Sequence, residues 1–458
     1  MPNAMLVDRR HFLKVGTGTA AGLAAARAVA APAPSRSPNG LDASQFGLRP
    51  GSPDDQSRAL QRAVDDTART RTPLAMAPGV YRVGNIKLPS GTRIVGARGA
   101  TRLMLAEGSS LFTTQGTEHV TLSGLDLDGQ HRRPSERRGL IHAEQASHLR
   151  IVDCEITDAG GTAIHCVAVS GEIIDSVLTD NADVAIHSID ARELLIARNT
   201  ISHAGNNGIQ VWRSGSGPDG TIVADNRIEG IENRSGGSGQ YGNAINVYRA
   251  HNVIVRGNQI RNCAFSAVRG NAASNIAITG NIITQVGEVA LYAEFGFEGA
   301  MIANNTVDQA AIGIAVTNFN EGGRLGVVQG NLIRNLTARR PAGTDPNDGA
   351  GIGIAVEADT AVTGNVVESA PFAGIVLGFG RFLRDVAATG NVVRRANIGI
   401  AVSVTNGAGS ALIANNVISE FIRGAIMGMD HRAVVGEDLG KGGAEKYANL
   451  TISGNRAR

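Results

Sequence analysis

Apolar and polar residues alternate over short stretches through most of the chain, and each stretch ends in a glycine or a small polar residue. Alternation over three to five residues predicts short strands with one face buried, not helices. Two phrases recur. The first is an apolar run, then Gly-Asn or Asn-Asn, one variable residue and a further apolar residue. Its asparagines are Asn199, Asn226, Asn258, Asn281, Asn305, Asn331, Asn365, Asn391, Asn416 and Asn455, separated by 23 to 39 residues. Cys154 and Ser176 occupy the same slot upstream, and Leu125 does so in weaker form. The second phrase is a small residue, Ile, a variable residue and Val, as in Gly208-Ile209-Gln210-Val211 and Gly399-Ile400-Ala401-Val402.

Each unit therefore holds at least two strands, and its shortest period suits one coil of a solenoid. The expected fold is all-β: a right-handed parallel β-helix of about a dozen coils, with the repeats over 117–458. The asparagines suit tight corners, where left-handed backbone angles are needed, and their amides can form a ladder from coil to coil. Residues 41–116 are expected to hold an N-terminal cap and the first coils. Ser52, Pro53 and Asp55 suit an N-cap, a first helical residue and a capping acid, so a helix near 53–70 should cover the exposed end.

Composition agrees with stacked layers of small residues. Glycine is 59 of 458 residues and aromatics are only 4%. The formal charge of +2 is dominated by the N-terminus, where Arg9, Arg10, Lys14 and Arg27 oppose Asp8, and the remainder sits near −1. That balance gives no footprint for a nucleic-acid partner. The segment Asp8-Arg9-Arg10-His11-Phe12-Leu13-Lys14, the apolar run from Val15 to Ala26 and the small residues Ala28-Val29-Ala30 read as a twin-arginine signal peptide over 1–30. A linker over 31–40 follows. The apolar run is too short for a membrane anchor. The expected location is periplasmic or secreted, with the twin-arginine machinery as a transit partner. Three cysteines without CxxC spacing suit buried small hydrophobes better than a zinc site; Cys154 and Cys166 could pair after export.

Alternation sorts the second phrase by face. The residue between Ile and Val points outward. Coil by coil it is His165, His187, Gln210, Asn246, Arg269 and Tyr292, then Ala315, Ala355, Val376, Ala401 and Met427. The next outward position gives Trp212, Tyr248, Asn271, Glu294 and, further on, Glu357. Six functional side chains precede five bland ones, which marks a candidate strip for polysaccharide. Trp212 and Tyr248 suit sugar stacking, and Gln210, Asn246, Asn271 and Glu357 suit hydroxyl contacts. Arg213, Arg249 and Arg269 could hold uronate carboxylates as bidentate forks. The long gaps place loops at Asn233 to Tyr241 and at Ala338 to Gly351, both positioned to wall this strip.

Three chemistries compete. Uronate elimination or epimerisation needs a cation, a base and an acid; Arg269, His165 or His187, and Tyr292 could supply them. Hydrolysis needs two carboxylates, for which Glu294 and Glu357 stand two coils apart. Metal binding could use His165 and His187 with Asp158, Asp180 and Asp183. A non-catalytic carbohydrate-binding strip is the further alternative, and the twin-arginine route permits a cofactor loaded in the cytoplasm without requiring one.

The asparagine phrase resembles the pectin-lyase-like β-helix superfamily, and with the twin-arginine segment the chain looks like exported β-helix repeat proteins. Gly51-Ser52-Pro53-Asp54-Asp55, Ala77-Pro78-Gly79-Val80-Tyr81-Arg82 and Leu88-Pro89-Ser90-Gly91 are similar to the opening of pectate-lyase-type and tailspike-type β-helices. The active-site phrases of polygalacturonases and mannuronan epimerases are missing.

Overall fold

The computed structural model describes residues 40–134, 138–345 and 348–458. The signal peptide expected over 1–30, and all but the last residue of the linker, lie outside them. The described chain winds into a right-handed parallel β-solenoid with three faces. One coil shows the pattern. Leu195–Ala197 lies on the first face, Asn199 turns the corner, Thr200–Ser202 lies on the second face, and Asn207–Pro218 begins on the third. The first face is a continuous sheet of 16 strands, each hydrogen-bonded to its equivalent in the next coil. The other two join into a sheet of 28 strands, because Val366–Leu377 and Val392–Ser403 each run through the corner between them.

The ten asparagines form the expected ladder. The Asn226 Oδ1 accepts the Asn199 backbone N–H at 2.9 Å and its Nδ2 at 3.1 Å, while that Nδ2 also reaches the Ile173 carbonyl at 2.9 Å. The pattern repeats through to Asn455. Ser176 and Cys154 continue it upstream: Ser176 Oγ accepts the Cys154 N–H, and Cys154 Sγ points at the Leu122 carbonyl. Each amide meets buried donors that water cannot reach, where an unmade bond costs about 1–3 kcal/mol. The ladder asparagines themselves are not left-handed, contrary to expectation. Positive φ falls on the residue just before, at Arg198, Asp225, Gly257, Gly280 and Asn304. That leaves the asparagine backbone regular and aims its amide into the core.

The small residue of the second phrase has a packing cause. A Cβ on Gly353 would lie 2.3 Å from the Gly374 carbonyl oxygen, and one on Gly399 would lie 2.4 Å from Ile418. The position points into the narrow coil interior, so Gly or Ala recurs there from Ala163 onward. All three cysteines are free and buried, and burial pushes the thiols up to about 11 for Cys154 and about 12 for Cys166 and Cys263. Cys154 and Cys166 are not paired.

The N-terminal end is closed by a helix, and at the other end the third face is closed by a folded-back strand. The helix α1 (Ser57–Thr70) buries Leu60, Ala63, Val64, Thr67 and Ala68 against the first coil. It starts later than expected. The Asp55 backbone bridges to Arg82 and its carboxylate holds the Ser57 N–H, so the chain bends through 53–54 and enters the helix only at Ser57. At the other end, Ala433–Asp438 folds back antiparallel on Gly424–Asp430. The Asp438 carboxylate accepts the N–H groups of Ala425 and Ile426, which would otherwise face a missing next coil. Among the described residues, no helix is long and apolar enough to cross a membrane.

Candidate functional site

Flush stacking on the third face places the outward residues in two straight rows. His165 pairs in register with His187, then Gln210, Asn246, Arg269, Tyr292 and Ala315. Ile189 leads the second row into Trp212, Tyr248, Asn271 and Glu294. The first row begins earlier than expected, because Lys87, Thr113 and His142 precede His165. The sequence carries a weaker signal for this: Leu140-Ile141-His142-Ala143 follows the second phrase with Leu for the small residue and Ala for the last Val.

The strip divides into two chemically distinct parts. In its N-terminal part, rings touch in turn across five successive coils; His165 and His187 stack, and the other pairs meet tilted or edge-on. Centroids lie 5.0 Å apart for His142–His165 and for His165–His187, 5.1 Å for His187–Trp212 and 5.8 Å for Trp212–Tyr248. Trp212 is pinned: its Nε1 donates to Asn246 Oδ1 at 2.8 Å, and Asn246 Nδ2 donates to the Gly239 carbonyl at 3.0 Å. The Arg249 guanidinium lies 4.8 Å from the Tyr248 ring centre, exposed and without an ion-pair partner among the described residues. Arg213 sits at the far edge beside Asp190, at 4.0 Å. Gln210 is buried between His187 and Asn246.

Walls rise on both sides of its Trp212–Tyr248 end. The 233–241 loop enters at the corner between the second and third faces, as its sequence position implied, and delivers the Gly239 carbonyl. On the opposite edge residues 213–216 bulge out between Trp212 and Gly217 while the next coil passes straight from Tyr248 to Ala250. At the N-terminal end the strip opens into a groove of about 790 Å³ lined by Gln61 of α1, Lys87, Thr113, His142 and Glu144. A separate cavity of about 770 Å³, lined by His203, Glu229, Arg261 and Arg339, opens on the second face outside the strip.

The C-terminal part begins with a buried ion network. Arg269 grips Glu294 with two bonds, Nε to Oε1 at 2.6 Å and Nη2 to Oε2 at 2.8 Å, and reaches Glu288 at 3.2 Å. Arg340, from the 338–351 loop, closes on the other oxygen of Glu288 at 2.7 Å. Burial pushes the Glu288 carboxyl up against the pull of the two arginines, and the Arg269 guanidinium is held up by its glutamates despite its own burial. Tyr292 packs beside Arg269, and burial raises its phenol. Beyond Tyr292 the outward residues are covered: Ala315, Ala401 and Met427 are buried beneath an apolar layer that includes Ile312, Ile352, Ile398 and Phe372.

Several expected roles therefore change. The Arg269 fork is filled by Glu294, so it is not open to a uronate. Asn271 braces Glu294 at 2.9 Å and Glu357 accepts the Phe319 N–H at 2.7 Å, so both are built into the frame. Glu294 and Glu357 do stand two coils apart, but each is engaged. His187 and Tyr292 are four coils apart in register, about 19 Å at the sheet spacing, too far for a base and an acid on one sugar. The carboxylates near the histidines turn elsewhere: Asp158 faces His131, Asp180 faces His203, and Asp183 accepts from Asn206. Among the described residues no three His, Cys, Asp or Glu side chains converge as a metal site.

The model of the right-handed β-helix region family matches residues 111–239 and 215–393, and the chain belongs to that family. Solved structures share the fold at low identity. The A-module of the Azotobacter vinelandii mannuronan C-5 epimerase AlgE6 is 15% identical, with a TM-score of 0.52, over 91% of this chain and 99% of that one. The N-terminal fragment of the bacteriophage Phi29 gene product 12 is 15% identical, with a TM-score of 0.55, over 92% of this chain and 71% of that one. No curated protein matches by sequence.

Proposed function

We propose that the protein binds an extended polysaccharide along the N-terminal part of the third face, from His142 to Tyr248. The observation that carries this reading is the run of five contacting rings on successive coils, walled on both edges at the Trp212–Tyr248 end, where the tryptophan is pinned. A ring column of this length, about 19 Å over four coil spacings, matches a chain of several sugars better than one small molecule. Rigid rings offer apolar faces to sugar C–H groups at little entropic cost. Arg249 at the rim favours acidic over neutral glycans. Catalysis finds less support, because the acid, base and fork foreseen for a uronate lyase or epimerase do not meet at one sugar.

Trp212 is the only tryptophan in the chain, so its fluorescence reports directly on the strip. Titrating a panel of acidic and neutral polysaccharides should shift that emission for at least one acidic glycan. Trp212→Ala should weaken binding of that glycan, measured calorimetrically, by about tenfold or more. An unchanged emission across the panel, with no retention on immobilised glycan, would end the proposal. Absorbance of unsaturated product in the same samples would restore the lyase reading.

The Arg9-Arg10 segment supports placing this encounter outside the cytoplasm. Replacing both arginines by lysine should then leave the chain cytoplasmic in fractionated cells. Normal export of that variant would remove the twin-arginine route.

A further inference from the structure

The first face and the corner after it carry a surface that the strip does not use. Outward positions of the first face run in register as Leu195, Ile222, Ile254, Ala277, Met301, Val327 and onward to Leu412, nine successive coils without a polar residue. Around the asparagine corner a second row joins it on the second face, with Ile282, Thr306, Leu332, Val366, Val392 and Val417, and between the two runs an uncharged row of Thr279, Ala303, Gln329, Thr363, Thr389 and Ala414. In the six coils from Ala277 to Val417, none of the outward residues of this band is charged. Many are well exposed: Met301 by 49%, Val327 by 37% and Val366 by 40%. A soluble surface seldom leaves so many branched apolar side chains in contact with water.

Charge returns at both long edges, already neutralised. On one edge Glu298, Arg324, Asp359 and Arg384 form a chain of ion pairs from coil to coil. On the other, Arg334 pairs with Asp308, and Arg394 and Arg395 pair with Glu368. An uncharged, mostly apolar centre with a self-neutralised rim is the anatomy of a protein interface.

We propose that this band is the contact through which the protein associates with a second copy of itself. Charge and size select that occupant. A partner carrying net charge gains nothing from a band without charge and a rim whose ions are already paired, whereas an identical band meets it without repulsion. The band holds no aromatic residue on which a sugar could stack. The long edges of its rim, where the arginines are paired with carboxylates, offer little free cationic charge to an anionic membrane. With coils about 4.8 Å apart and residues about 3.3 Å apart, the band covers on the order of 500–600 Å² per copy. Two copies would bury roughly 1,000–1,200 Å², the lower bound for a specific association.

The test is the mass of the full chain by sedimentation velocity from about 1 to 100 μM, at 0.15 M and at 1 M NaCl. We expect a closed oligomer that persists at 1 M salt, because apolar contact is not screened. Val327→Lys and Val392→Lys, both at exposed positions, should weaken association by about a hundredfold or more while circular dichroism and melting stay close to wild type. Thr121→Lys, on the same face outside the band, should leave the mass unchanged. A wild-type monomer at 100 μM overturns the proposal, as does an oligomer that dissociates in high salt or survives both lysines. A monomer that binds phosphatidylcholine vesicles through Val327 and Val392 would also overturn it, by assigning the band to a lipid surface.

Discussion

The N-terminal and C-terminal parts of the third face share one register, one strand spacing and one outward row, yet they differ in almost everything a ligand would meet. From His142 to Tyr248 the rings run from the first outward row into the second, and loops wall the strip at the Trp212–Tyr248 end. From Tyr292 to Met427 it is apolar and roofed by side chains such as Phe372, which packs against the apolar clusters on both sides of it. The Arg269–Glu294–Glu288–Arg340 network marks the boundary. The solenoid fixes where each outward side chain stands. Its exposure is decided by loops and neighbouring side chains, so identical scaffold geometry gives a groove in one half and a second small core in the other.

The sharpest way to break the comparison is at its boundary. Arg269→Ala leaves Glu294 buried without its fork, and should cost about 3–5 kcal/mol in chemical denaturation. The double variant Arg269→Leu with Glu294→Leu should recover most of that loss, because the unpaired charge disappears with its partner. A loss no larger than about 1 kcal/mol for Arg269→Ala would mean the network is solvated. Next in size is the roof. Phe372→Ala should cost about 2–3 kcal/mol, whereas Tyr248→Ala, on the open part, should cost less than about 1 kcal/mol. Equal losses would erase the distinction between a covered and an open half.

The smallest effect is a pH dependence at Glu357. Burial raises its carboxyl above the ordinary value of 4.5, against the pull of the Phe319 and Asn318 N–H groups. A raised acid means that the folded state holds its proton longer than the unfolded state. Stability from this group is therefore full below the unfolded value and falls as pH rises through the folded one. Glu357→Gln keeps an acceptor for Phe319 without the charge. It should match wild type near pH 4 and gain up to about 1 kcal/mol by pH 7. A variant less stable at pH 7 would show that the ionised carboxylate is favoured where it stands.

The coil period, the asparagine ladder and the outward rows are legible in the sequence because each depends on local repetition. Period-two alternation tells inside from outside, and a recurring phrase fixes the register, so Gln210, Asn246 and Arg269 align from the order of residues alone. The wall formed by the 233–241 loop is legible too, as a long gap between two asparagines. Other features need three dimensions. The filling of the Arg269 fork by Glu294 depends on side-chain direction across a coil, and Arg340 reaches Glu288 from 52 residues away. The helix starts late because Asp55 pairs with Arg82, a partner that no local capping rule contains. The left-handed residue falls one place before each asparagine because the amide has to face the core. Sequence alone thus determined the scaffold and the order of its outward residues, since those follow from short-range periodicity. The tertiary structure decided which of those residues meet solvent and which meet each other, since burial and ion pairing are set by contacts between segments that the repeat does not relate.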